Sequence, residues 1–329
     1  MNRLWSVLRW REFPVAAALV GLVILTYSVN PTFLAPQGVK DLLLNATILV
    51  ILAAGQTLVL VTQNVDLSVG SVLGLTAYAV GVSFATFPGI PIIAVFAIAI
   101  LLGGVLGAIN GLLVSVAKVP ALVITLGTLY IYRGINNAWA GGKQYFAGDR
   151  PDSFGNLSVQ TVLGIPLITL IALVILAIVA IYLAGVRSGR DLYAIGSDSD
   201  AAKLYGVPVT KRIFAVFVAN GLLAGLAGVL YASRFNSVGA TTGAGMELQV
   251  IAAAVVGGVA ISGGVGSVVG AALGGLLLTT ITSSLTAIRV DKFWQQAVVG
   301  ALILAAVVID RVSSLRMTRR LRVSEARNV

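Results

Sequence analysis

The sequence predicts an all-α polytopic membrane protein of about ten transmembrane helices, and three observations carry that prediction. Hydrophobic residues make up 58% of the 329 positions and charged residues only 10%, more apolar surface than a water-soluble domain of this size can hide. Apolar runs long enough to span a bilayer recur along the chain. Those runs are continuous, whereas the strands of an outer-membrane barrel alternate apolar with polar residues.

In chain order, residues 1–13 are basic (Arg3, Arg9, Arg11) and lead into an apolar run at 14–29. That run lacks an A-x-A-like cleavage site and reads as a retained first helix rather than a signal peptide. Runs near 42–62, 70–86, 91–116, 119–137 and 166–185 complete six spans within 14–185. A polar stretch, 186–212, separates them from runs near 213–233, 248–262, 265–287 and 294–310, which form spans seven to ten within 213–310. A basic tail, 311–329, closes what reads as a single transmembrane domain over 1–329. The run at 248–262 is short and rich in glycine.

Charge orients the spans. With the N-terminus in the cytoplasm, residues 1–13, Lys118, the 186–212 loop and the tail share one side. They hold most of the 22 Lys and Arg residues. The other side keeps Lys40, Arg133, Lys143, Arg150, Arg234, Arg289 and Lys292, a bias in the positive-inside direction. The net charge of +10 therefore belongs to a membrane-lipid surface and not to a nucleic-acid interface. Absence of Cys and His excludes disulfides, thiol nucleophiles, thiolate or imidazole metal sites and histidine acid–base chemistry. No catalytic residue, metal site or cofactor is predicted.

Two glycine triplets suggest a repeat. Gly103, Gly107 and Gly111 recur at four-residue spacing in the fourth run, and Gly266, Gly270 and Gly274 do so in the ninth. Similar text surrounds them, Val105-Leu106-Gly107-Ala108 and Val268-Val269-Gly270-Ala271. Such spacing puts each triplet on one helix face, where a second backbone approaches closely. A separation of five spans reverses orientation, so the chain reads as two inverted five-helix halves.

Within 186–212, Ser197 is placed to cap a helix whose first turn carries Asp198 and Asp200, at the positive end of the helix dipole. Gly206 suits the left-handed position after the last turn, and Pro208 prevents continuation. The expected helix covers about 198–205, with Ala201 and Ala202 allowing close approach and Leu204 and Tyr205 offering grip. So short a helix needs a surface to dock into; an ordinary capped connector is the alternative.

Polar residues interrupt the apolar text at 63–71, QNVDLSVGS. Asp66 is an acid at membrane depth, which is costly and usually functional, or a cap on the third helix from a cytoplasmic turn. Asn64 and Ser68 flank it, and all three are candidates for the translocation pathway or its gate. The segment 236–247, NSVGATTGAGME, is a loop or a partly re-entrant lip. Asn110, Asn136, Asn137, Trp139, Asn220 and Gln249 are scattered candidates for a sugar-like pathway or for contacts between helices.

Together, NVDLSVGS (64–71), VPALVITLGTLYIYRG (119–134), GSDSDAAKLYGV (196–207) and IAAAVVGGVAISGGVGSVVGAALGGLLL (251–278) resemble the permease subunits of bacterial monosaccharide ABC importers. The likeness covers about residues 15–310. The run TLGTLYIYRGINNAWAGGK at 125–143 looks closest to the branch importing rhamnose or the sugar-derived signal autoinducer-2. The resemblance implies a ten-helix subunit of the bacterial inner membrane with both termini cytoplasmic. Its implied partners are a second permease copy or paralogue, cytoplasmic ABC ATPase subunits and a periplasmic sugar-binding protein. It also implies that Asp200, Ala201, Ala202, Leu204, Tyr205 and Gly206 form the helix that couples to the ATPase. Members of the family usually carry glycine and isoleucine before Asp-Leu-Ser; Asn64 and Val65 depart from that here. No G-x-x-x-x-G-K-[ST] motif occurs, so ATP hydrolysis falls to another chain. The pathway is expected between two permeases along the fifth and tenth spans, with Thr125, Thr128, Tyr130 and Trp294 as lining candidates. The rival reading is a secondary transporter that uses Asp66 as an ion-linked carboxylate.

Overall fold

The computed structural model describes residues 12–291 and positions 294, 295, 297, 298, 300, 301 and 304. The tenth expected run thus lies largely outside the described residues, and the basic tail wholly so. Twelve α-helices are described: α1 Phe13–Val29, α2 Pro36–Leu60, α3 Val69–Thr86, α4 Ile92–Ser115, α5 Ala121–Ala140, α6 Asp152–Val159, α7 Leu167–Gly185, α8 Arg187–Ser197, α9 Ser199–Leu204, α10 Val209–Arg234, α11 Met246–Val256 and α12 Val268–Ala287. Four two-residue strands complete the set: β1 Tyr145–Phe146, β2 Thr161–Val162, β3 Ile165–Pro166 and β4 Ser237–Val238.

Proline marks where helices begin. Pro14 and Pro36 sit in the first turns of α1 and α2, and Pro31 opens a 3₁₀ turn. Pro91, Pro120, Pro151, Pro166 and Pro208 each precede the first residue of α4, α5, α6, α7 and α10. A missing N–H costs nothing in the first turn, and proline pushes the residue before it out of helical geometry.

Six helices (α2, α3, α4, α7, α10 and α12) are long and apolar enough to cross a membrane. The fold is therefore all-α and polytopic. Helix α1 is slightly short, and α5 carries Arg133, Asn136 and Asn137 in its second half. The eighth expected run, 248–262, is helical only to Val256, because Gly257 and Gly258 end α11 there. The arrangement inverts that of a soluble protein. The two most apolar of the six, α7 and α4, are the least buried, while α3, the least apolar, shares deepest burial with α2. Lipid takes the place of a hydrophobic interior, so small and polar side chains collect at the centre.

The tightest pairing is α4 against α10. A Cβ on Gly103 would strike the Gly221 carbonyl and one on Gly107 the Phe217 carbonyl, while Gly221 faces Gly103 and Gly107 in return. The second triplet behaves differently. Gly270 and Gly274 of α12 meet Gly257 and Ala253 at the end of α11, but Gly266 precedes the Ser267 cap and lies outside the helix. Only two of its members therefore share a helix face.

On the side of the α3 C-terminus, β1 pairs antiparallel with β4, Tyr145 opposite Val238 and Phe146 opposite Ser237, and Tyr145 packs on Gly81 of α3. From there the chain descends. The Thr242 carbonyl lies on Gly74, and Gly243 and Glu247 lie on Gly70. From Gly81 to Gly70 is ~16 Å along a helix, so 236–245 folds back along α3 and α11 starts beside its first turn. Arg133 donates to the Thr242 carbonyl and Asn136 to the Ala240 carbonyl at 3.2 Å, which accounts for two of the three polar residues in the second half of α5.

Candidate functional site

The loop expected at 186–212 folds as two helices. In α8, Leu192 and Ile195 are buried, Arg190 donates to the Gly185 carbonyl at the end of α7 at 3.1 Å, and Arg212 holds Asp191 at 2.9 Å. A cation at the C-terminus of α7 complements its dipole. The cap of α9 is Asp198, one residue later than expected. Ser197 is still helical as the last residue of α8, whereas Asp198 is extended and its carboxylate accepts from the N–H groups of Asp200 and Ala201 at 3.0 and 2.9 Å. At the other end the Gly206 N–H donates to the Lys203 carbonyl and the Val207 N–H to the Ala202 carbonyl, with φ of +80° at Gly206. This paired pattern needs a left-handed residue at Gly206.

Helix α9 thus has both ends fixed by its own sequence. Ala202 is buried against Ile195 and Val209. Lys203 pairs with Asp200 at 2.9 Å and holds the Asp200 carboxyl below the usual carboxylate range. Leu204 and Tyr205 project outward, each 88% exposed. Behind them Gly196 rests on the Val61 carbonyl and on Gly264, where any Cβ would overlap backbone. The Gly264 N–H also donates to the Val61 carbonyl at 3.0 Å, and the Tyr193 hydroxyl donates to the Gly266 carbonyl at 2.9 Å. Helix α8, which leads directly into α9, is thereby joined to the turn ahead of α3 and to the turn between α11 and α12.

The second candidate region is a buried polar centre. Asp66 is 2% exposed. Its Oδ1 accepts from the Ser68 N–H at 2.8 Å and the Ser68 hydroxyl at 2.7 Å, and its Oδ2 accepts from the Asn220 amide at 2.9 Å. The Asn110 amide donates to Ser68 Oγ at 2.7 Å, and the Tyr132 hydroxyl donates to the Leu106 carbonyl at 3.0 Å. Thr125 donates to the Val65 carbonyl at 3.1 Å and Thr128 to the Thr125 carbonyl at 3.3 Å. Asp66 therefore fixes, through Ser68, the turn that leads into α3 while tying it to α10. Asn220 lies eleven residues into α10, ~16 Å from the start of that helix, so Asp66 sits level with the middle of α10.

This placement sorts the predicted pathway residues. Asp66, Ser68, Thr125 and Thr128 are buried and bonded within the subunit. Asn64 is half-buried and donates to the Thr62 carbonyl at 2.9 Å. Tyr130 and Trp294 stand on open surface, each 69% exposed. Helix α5 has two characters: Thr125, Thr128, Tyr132 and Asn136 face inward, while Leu122, Leu126, Tyr130 and Ile135 face outward. Two buried polar residues were not singled out from the sequence. Tyr132 was hidden in an aromatic run. Gln56 of α2 is wholly buried and has no partner among the described residues; a glutamine within the apolar second half of that helix was its only signal.

Residues 38–307 match the family described as "Branched-chain amino acid transport system / permease component". Among curated proteins, the chain is 38% identical over 317 residues to the autoinducer 2 import system permease protein LsrC of Enterobacter sp. (strain 638), covering 96% of this chain and 91% of that one. The proteins of the same name from Klebsiella pneumoniae subsp. pneumoniae and Escherichia coli (strain K12 / DH10B) are 37% and 36% identical, covering 93% and 95% of this chain and 88% and 90% of theirs. No solved structure matches the chain with significance.

Proposed function

The chain belongs to the permease-component family of branched-chain amino acid transport systems, and from that premise we propose how it works as the membrane subunit of an ATP-driven importer. Its solute is a neutral monosaccharide or a sugar-like molecule such as autoinducer-2, handed over by a periplasmic binding protein. ATP is hydrolysed by separate cytoplasmic chains. The observation that carries this reading is the Leu204–Tyr205 pair: two large apolar side chains exposed at the tip of a short helix capped at both ends. A surface connector has no reason to show them to water, whereas a docking knob does.

The membrane is the bacterial inner membrane, with both termini and α9 on the cytoplasmic side. Closure of the ATPases pushes α9. The push reaches Val61 and Gly264 through Gly196, and so reaches the irregular segments next to α3, α11 and α12. Two permeases, copies or paralogues, rock against each other along α5 and the final span. The ten-span, inverted-half plan receives support from the exchange of partners between halves. The fourth span, α4, packs chiefly on the seventh, α10, and the ninth, α12, packs on the second, α2. The third and eighth spans, α3 and α11, each follow an irregular segment, and their starts meet where Glu247 touches Gly70.

The rival, ion-coupled reading has less to stand on, since all the ligands of Asp66 are the protein's own donors. Vesicles carrying the assembled complex are expected to take up autoinducer-2 or a monosaccharide on addition of ATP and binding protein, and not on an imposed ion gradient. Replacing Gly206 by Val puts a β-branched side chain at φ of +80°, a conformation such residues rarely adopt. The Gly206→Val protein should insert normally yet fail to co-purify the ATPase and lose ATP-driven uptake. Normal co-purification and uptake in that variant would refute the coupling role of α9.

A further inference from the structure

Arg133 of α5 and Glu247 of α11 come together on the glycine face of α3. A Cβ on Gly70 would strike the Glu247 carboxylate, and one on Gly74 would lie 3.2 Å from the Arg133 guanidinium. Asp66, just ahead of α3, is bonded to Asn220, and Leu73 and Thr76 pack on Gly228. The two charges therefore stand level with the stretch of α10 from Asn220 to Gly228, inside the length of a helix apolar enough to cross a membrane. Both residues are half-buried. Charges at such a level are costly, and membrane proteins keep them for function.

Neither charge is used up by the fold. Among the described residues, Arg133 donates only to the Thr242 carbonyl, which leaves most of the N–H donors of its guanidinium free. Glu247 Oε1 accepts from the Gly245 N–H at 3.2 Å, and Oε2 has no partner among the described residues. The two groups are near enough for their charges to interact, yet no ion pair joins them. Gly70 and Gly74 are ~6 Å apart along α3, a gap that one hydroxyl group bridges by accepting from the guanidinium and donating to the carboxylate. Fastening the segment 236–245 needs no charge, because Asn136 holds the Ala240 carbonyl with a neutral amide at 3.2 Å.

The pair also adjoins the route between permeases. On α5, Tyr130 comes three residues before Arg133 and Asn137 four after it, so helical spacing sets all three along one edge. Tyr130 and Asn137 are exposed, and Asn137 has no hydrogen-bond partner among the described residues. This edge borders the outer face of α5, along which the two permeases rock. We propose that Arg133 and Glu247 are solute contacts on that route, and that together they grip the hydroxyl groups of a neutral, polyhydroxylated molecule as it passes. The carboxylate accepts from one hydroxyl while the guanidinium donates to its neighbour, which makes both hydrogen bonds charge-assisted. The pair is neutral overall, so it suits hydroxyl groups and not a charged solute. The inference rests on the reading of this chain as an importer's permease and adds the side chains that the solute meets.

The chain has no native cysteine, so a single cysteine at Asn137, one turn from Arg133, reports on this edge. In the detergent-solubilised assembled complex, Asn137→Cys should react with a methanethiosulfonate reagent. At least one of three probes, autoinducer-2, ribose or rhamnose, should slow that reaction severalfold. Failure of the cysteine to react, or reaction at an unchanged rate with every probe, would overturn the proposal. Arg133→Gln keeps a donor for Thr242, Glu247→Gln keeps an acceptor for Gly245, and each removes one charge. Added to Asn137→Cys, each should leave labelling without probe unchanged and raise the probe concentration needed for protection roughly tenfold. Each should also lower ATP-driven uptake severalfold while the ATPase still co-purifies. Protection and uptake unaltered in both glutamine variants would overturn the proposal. A changed labelling rate without probe, together with a lower thermal midpoint, would mark a purely structural pair and overturn it as well. Labelling and protection need neither ATP nor binding protein. An unsubstituted complex that shows protection but takes up no probe on ATP would therefore sink the importer reading and leave the contact standing.

Discussion

At Asp66 one carboxylate joins the turn ahead of α3 to the middle of α10, and its partners set what a substitution must cost. Asp66→Ala would leave the Ser68 N–H and hydroxyl and the Asn220 amide without their acceptor in a buried site, a loss of about 3 kcal/mol or more. Asp66→Asn is gentler. The Asn220 Oδ1 has no partner among the described residues, so a turned Asn220 amide can accept from the new side chain, and the cost falls to about 1 kcal/mol. Thermal midpoints of the purified protein in detergent should rank unsubstituted, Asp66→Asn, Asp66→Ala in descending order. An Asp66→Ala midpoint equal to the unsubstituted one would refute this role. ATP-driven uptake should survive in Asp66→Asn; abolished uptake with intact assembly would instead make the charge part of transport. The Asp66–Ser68 turn ahead of α3 was legible in the sequence because Asp-Leu-Ser is a local pattern. Asn220, 154 positions away, was not, since a partner across helices leaves no mark in spacing.

Among the elements, α8 was the one the sequence concealed most. Its eleven residues are polar enough to read as connector, and Leu192 and Ile195 are its large buried side chains, with Gly189 and Gly196 on the same inward side. The short helix after it was legible to within a residue, because caps are chemistry of neighbouring residues. Helix–helix contacts were half legible. Both glycine triplets suggested close approach, yet only the structure pairs the first with α10 and the second with α11. The join at Gly196 lends itself to a direct test. Gly196→Ala would drive a Cβ into the Val61 carbonyl, forcing α8 away from the turn that leads to α3, while α9 keeps its own caps. The ATPase should still co-purify. Uptake, and the stimulation of ATP hydrolysis by loaded binding protein, should both fall severalfold, giving fewer solutes moved per ATP. Unchanged stimulation and uptake would show that the push does not travel by this route.

Over the whole molecule, composition predicted the class, because membrane helices must be apolar wherever they meet lipid. It did not predict which helices lie inside, since burial here follows small and polar residues. The same logic exposes one surface that lipid alone does not explain. The outer face of α5 carries Tyr130 and two glycines, Gly127 and Gly134, with nothing within 4 Å of the position a Cβ would take. Open small residues on a membrane helix invite a second backbone, as Gly103 and Gly107 do within the subunit. A two-fold axis beside α5 would bring the same face of two permeases together, as an isologous contact requires. Single cysteines at Gly127, Tyr130 and Gly134 should therefore form disulfide-linked species under mild oxidation in native membranes. Ile178→Cys on the exposed face of α7, a helix whose character is that of a lipid-facing wall, should stay monomeric. A covalent dimer of this chain alone means that two copies pair, and a covalent adduct with another membrane chain means a paralogous partner. Cross-linking at Ile178 with none along α5 would move the interface to the other side of the bundle, and the route between permeases would move with it.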